Sequence, residues 1–192
     1  MTDNLYAPPA APVADTDQPG MRADFYIVSI SKLSTLYLAT GGMYAIFWFY
    51  RNWKNYRDAT DDNIWPMARA LFNYFFVHSL FRRVHDHAES RGVTLDWRPG
   101  LHATLLVVML LISGALDRAA VKGVGSPLTD ILSWLALLPL LALFAHAQRQ
   151  INMACGDAEG RSNGELSGAN YLWIAIGAVI WIFALIGAFA GA

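Results

Sequence analysis

Long apolar runs alternate with short polar breaks along this chain. Their lengths and spacing predict helices rather than strands. Leu33–Tyr50 carries no formal charge over 18 residues. At ~1.5 Å per residue that run covers ~27 Å, enough for a hydrocarbon layer. Ser29 or Ser31 is placed to cap its start. Gly41 and Gly42 fall near its middle, where they permit close packing against a neighbouring helix, or a kink. A re-entrant hairpin turning at Thr40–Gly42 is the alternative. Trp48, Tyr50, Trp53 and Tyr56 then form an aromatic belt, followed closely by basic residues.

After a polar break at Ala59–Asn63, apolar residues recur at Ala68, Leu71, Phe72, Phe75, Phe76, Leu80 and Val84. This is a helical stripe, with Arg69, Asn73, His78 and Arg82 on the other faces. Charge is costly in lipid, so residues 64–90 read as an amphipathic helix lying in the interface. The alternative is a true crossing by 64–81. Further spans are expected at about 101–116, 128–147 and 171–192, with Pro139 kinking the second of these and freeing the Leu135 carbonyl. Gly177, Ala184 and Gly191 repeat every seven residues, and Gly187-x-x-x-Gly191 is a small-residue packing motif. The expected fold is all-α: a polytopic membrane domain over 25–192, with about four transmembrane helices and one interfacial helix. Gly41, Gly42, Gly177, Ala184, Gly187 and Gly191 are the expected packing positions.

Composition agrees with that class. Apolar residues make up 55% of the chain and charged residues 15%, against roughly 25% charged in a soluble domain. Residues 1–24 are rich in Ala, Pro and Asp and read as a disordered tail. The net charge of −1 gives no reason to expect nucleic acid. Eight Lys and Arg fall between Arg51 and Gly100, against two each in the segment up to Lys32, the loop around Arg118 and Lys122, and the loop around Arg149 and Arg161. This excess places Arg51–Gly100 in the cytoplasm. With four spans, both termini lie outside and Gly156–Ala169 lies inside. Arg51, Lys54, Arg57, Arg69, Arg82 and Arg83 are the candidate contacts to anionic lipid headgroups.

Four stretches carry a resemblance. They are FYIVSISKLSTLYLATGGMYAIFWFYRNWKNY, IWPMARALFNYFFVHSLFRRV, ALDRAAVKGVGSPLTD and INMACGDAEGRSN, together running from about Phe25 to Asn163. The chain resembles an uncharacterised family of short bacterial multi-pass membrane proteins. The resemblance implies a bacterial inner-membrane location and carries over no activity, cofactor or catalytic residue.

No nucleophile elbow, phosphate loop, dinucleotide fingerprint or zinc-helix motif is present. His85 and His87 are two apart and point to opposite sides of a helix, so they cannot share an ion there. His102 and His146 begin and end neighbouring spans, a placement in which a bis-histidine haem is imaginable. Asp117, Arg118 and Asp130 could form an ion pair stapling two spans. No cofactor or metal is expected. The functional expectation is a structural or accessory membrane protein, not an enzyme, acting through helix packing and contacts to lipids, a membrane-protein partner or a second copy. The alternatives are an oligomeric transporter or pore for small solutes or ions, and a lipid-modifying enzyme.

Overall fold

A computed structural model describes residues 24–190, except for the side chains of residues 184, 185 and 187–190. The described residues form helices, turns and loops, with no strand. In order these are α1 (Ile30–Ala39), α2 (Tyr44–Thr60), α3 (Pro66–Leu71), α4 (Asn73–Ser90), α5 (Pro99–Val121), α6 (Leu128–Leu135), α7 (Leu137–Ala154), a 3-10 turn at Arg161–Asn163, and α8 (Gly168–Ala190). Two helical stretches are long and apolar enough to cross a membrane, Pro99–Val121 and Leu128–Ala154. The disordered-tail expectation lies, apart from Asp24, outside the described residues.

The first apolar run is not one helix. α1 ends at Ala39, and the chain passes through Gly41 (φ +57°) and Gly42 (φ +87°) before α2 begins. Left-handed dihedrals suit glycine, which has no Cβ to clash with the following carbonyl. The Gly42 amide bonds the Tyr37 carbonyl at 2.8 Å, closing the turn. Tyr37 before the turn and Trp48 after it both pack on Phe144, with ring centroids 5.5 and 5.3 Å away. Phe25 stacks on Tyr56 at 5.6 Å. Contacts that pair residues symmetrically about Gly42 define a hairpin, so Leu33–Tyr50 is two short antiparallel helices and not a continuous span. A Cβ on Gly41 would meet nothing within 4 Å, whereas one on Gly42 would press on Leu137 and Tyr37 at 3.3–3.5 Å. Gly41 is therefore required by dihedral alone and Gly42 by dihedral and space. Gly41→Ala is expected to cost about 1 kcal/mol and Gly42→Ala more, read as thermal unfolding of the purified protein. Equal losses would contradict this account.

The strand-like segment before α1 is held by carboxamides. Gln148 and Asn152, four apart on one face of α7, are both fully buried. Gln148 Nε2 donates to the Tyr26 carbonyl at 2.9 Å and its Oε1 accepts from Trp48 Nε1. Asn152 takes both polar groups of Val28, donating to its carbonyl at 3.0 Å and accepting from its amide at 3.4 Å. Asn52 Oδ1 accepts from the Tyr26 amide, Asn55 donates to the Phe25 carbonyl, and Asn163 donates to the Ile27 carbonyl. A buried backbone with no helix or sheet partners needs such substitutes. At Gly160 (φ +66°) a Cβ would run into the Val28 backbone, so this loop lies directly against the strap. Residues 25–29 thus share one end of the molecule with the 156–165 loop.

Residues 64–90 also differ from a single helix. The break falls at Phe72 (φ −98°, ψ 38°). Asn73 Nδ2 donates to the Ala70 carbonyl at 3.0 Å, drawing it away from the helical ladder. Arg69 and Arg83 would stand ~21 Å apart on a straight helix, yet their guanidinium carbons lie 4.3 and 5.9 Å from the buried Trp53 ring. The bend brings both arginines onto one aromatic ring. Near Pro139, the helix is interrupted at Ala136, between α6 and α7. Proline cannot donate the amide hydrogen bond that would have bridged the two.

Candidate functional site

A cavity of about 350 Å³ lies at the tip of the α1–α2 hairpin. The glycine pair and Tyr37 of α1 form part of its wall, and α4, α5, α6, α7 and α8 supply the rest. Asp117, on the last turns of α5, is the one formally charged residue lining it among the described residues. Its Oδ1 accepts from Ser133 Oγ at 2.7 Å, tying α5 to α6. The staple between these helices is therefore a neutral hydroxyl on a carboxylate, not the expected ion pair. Asp130 accepts instead from Ser126 Oγ. Trp134 and Trp181 lie with centroids 4.6 Å apart at one side of the cavity, and Tyr37 and Tyr74 line it elsewhere. Tyr37 is 2% exposed as a whole residue, with its hydroxyl open to the cavity and not sealed in the core. The cavity thus joins an exposed carboxylate, hydroxyls and aromatic side chains in an open recess among apolar helices. That combination can hold a small polar molecule with an apolar body.

Of the expected packing positions, Gly41 and Gly42 line the cavity and Gly177 packs on the hairpin beside it. A Cβ on Gly177 would overlap the Ala39 carbonyl, and Trp181 Nε1, one turn on, donates to the Leu38 carbonyl at 3.0 Å. α8 therefore rests directly on the hairpin tip. The side chains of Ala184 and Gly187, and Gly191 entirely, lie outside the described residues.

The six basic candidates divide into three groups. Lys54 and Arg57 both hold Asp58, at 2.6 and 2.8 Å, and their hydrogen bonds pull its carboxyl down to about 2. Arg69 and Arg83 lie on aromatic rings, with Arg83 5.0 Å from the centre of Tyr56 and 3.8 Å from Asp62. Their charge stays near the surface while their stems pack. Arg51 lies 5.3 Å from the Tyr26 ring centre, and Arg82 is exposed.

The histidines support no shared ion. His85 faces Glu89 at 3.4 Å, and His87 Nδ1 meets Asp24 at 2.9 Å. Burial lowers the His87 pKa despite that carboxylate. His102 and His146 stack at 5.0 Å, 28° from parallel, with His102 Nε2 on the Leu143 carbonyl at 3.0 Å. Axial histidines must point at one iron from opposite faces of a macrocycle; these two rings lie face to face with no gap for one. Among the described residues no group of three His, Cys, Asp or Glu could hold a metal ion. Burial raises the Cys155 thiol to about 11, which leaves little thiolate at neutral pH.

Sequence reasoning missed Tyr37, Gln148 and Asn152. The signal for the last two was available: two carboxamides at i and i+4 continue an apolar helix, in HAQRQINM. Comparison with family models, curated proteins and solved structures finds no match. The resemblance to an uncharacterised membrane family therefore rests on the quoted residues alone.

Proposed function

We propose that the chain is a multi-pass protein of the bacterial inner membrane with a structural or accessory role, seated on anionic lipid by its basic end. The observation that carries this is the segregation of charge along exposed apolar helices. Only 22% of the apolar stretch of Pro99–Val121 and 17% of that of Leu128–Ala154 is buried, so most of their apolar surface faces outward, as lipid requires. Arg118 and Lys122 stand alone at the α5–α6 turn, while of the other eleven described Lys and Arg eight fall within Arg51–Gly100, and Lys32, Arg149 and Arg161 fall on α1, on the last turns of α7 and in the loop after it, where Lys32 bonds Asn163 and the Glu165 carbonyl. The basic end is the cytoplasmic one. In this reading α5, α6–α7 and α8 cross, and α1–α2 enters and returns. The count becomes three crossings and a re-entrant hairpin in place of four crossings, with the segment before α1 on the cytoplasmic side. Arg82, which is exposed, is the freest contact for headgroups, and Arg51 is half-buried over the Tyr26 ring; a basic residue is worth ~1 kcal/mol near an anionic surface.

Single cysteines in a Cys155→Ser background test this. A membrane-impermeant thiol reagent should label Val124→Cys in intact spheroplasts and Ser162→Cys only after permeabilisation. Labelling of both from one side would refute the topology. Arg51→Glu with Arg82→Glu should lower the anionic lipid that co-purifies, and an unchanged lipid profile would refute the headgroup role. The cavity at the hairpin tip favours a second reading, passage of a small solute or ion through an oligomer. Solute flux in reconstituted vesicles that Asp117→Asn abolishes is its expected result.

A further inference from the structure

We infer that the cavity at the hairpin tip is a binding site for an organic ammonium ion. This goes beyond the accessory role and holds whether the ligand is retained or passed on. The charge of the site selects the class. Among the described residues Asp117 is its one formally charged lining residue, one carboxylate oxygen is taken by Ser133, and no Lys, Arg or His lines the wall to balance it. An anion has no donor of charge there. A hard metal ion would want six or more oxygens at short range, and a single carboxylate among hydroxyls falls short of that.

The walls select further. Tyr37, Tyr74, Trp134 and Trp181 present four aromatic rings around about 350 Å³. Aromatic faces attract a cation that carries its own apolar shell, such as a methylated or alkyl ammonium. The volume falls in the range of small-ligand sites. The Tyr37 hydroxyl adds a polar contact: the residue lines the cavity, and its hydroxyl opens to that space and is not sealed in the core. A hydroxyl or N–H on the ligand can pair with it there. Gly42 keeps that hydroxyl accessible, since a Cβ there would stand 3.4 Å from it.

The test uses the full-length chain purified in mild detergent, with choline and tetramethylammonium as probes in titration calorimetry. The control ligand is the uncharged isostere of choline in which carbon replaces nitrogen. Saturable binding of the cations, at least tenfold tighter than of the isostere, is the expected result. Asp117→Asn should weaken cation binding at least tenfold and leave isostere binding unchanged. Trp181→Leu provides a second variant that keeps the charge and removes one wall; it too should weaken the cations. Equal affinity for cation and isostere overturns the inference in the wild-type protein alone. So does absence of saturable binding, or full cation affinity in a folded Asp117→Asn variant.

Discussion

Replacing Asn152 with leucine is expected to destabilise the protein by about 4 kcal/mol. Leucine has the same side-chain branching as asparagine, though it is bulkier, and offers no polar atom. The amide and carbonyl of Val28 both lose their partner, and Gln148 Nε2 loses one of its two acceptors, Asn152 Oδ1 at 2.7 Å, keeping the Tyr26 carbonyl. Each buried backbone group left unpaired costs about 1–3 kcal/mol, and Asn152 is fully buried. The measurement is unfolding in mixed detergent micelles, followed together with protease cleavage between residues 24 and 29. A loss below about 1 kcal/mol would show that water replaces the carboxamide and that the strap is not held as described.

Gly177→Leu is expected to cost about 3 kcal/mol or more, the upper range for overpacking. The Cβ itself already overlaps the Ala39 carbonyl, a backbone atom that cannot rotate aside. α8 must lift from the hairpin tip, which breaks the Trp181–Leu38 hydrogen bond and parts Trp181 from Trp134. Gly177→Ala should show the same change in smaller measure. Thermal unfolding reads both, and an unchanged melting temperature for the leucine variant would mean that α8 does not rest where it is placed here. Substitution at Ala178, which is exposed, serves as the matched control on the same helix.

The apolar runs did announce their helices, and Pro139 its interruption one turn upstream. The direction of the chain after Gly41–Gly42 was not announced. An uncharged run of 18 residues satisfies a crossing and a short hairpin equally, and the pattern of apolar positions does not record which way the second half runs. The decisive information is in contacts with Phe144, about a hundred residues away. Phe72 shows a different limit. No glycine or proline marks that bend, which depends on one Asn73 side chain competing for a carbonyl. The cavity was half legible. Asp117 was noticeable as a charge at the end of an apolar run, but Tyr37 read as one more aromatic in a helix. Only the turn of the hairpin points it inward.

The strap at residues 25–29 also bears on synthesis. Chains are made from the amino end. Tyr26, Val28 and Ile27 leave the ribosome 122, 124 and 136 residues ahead of Gln148, Asn152 and Asn163. Until those partners exist, the strap's carbonyls must be served by water, which is plentiful outside a bilayer and scarce within it. The first hairpin to be translated is thus the last to be locked. Its seat depends on α7 and the loop after it, so a chain truncated before Asn152 should hold α1–α2 only at the membrane surface.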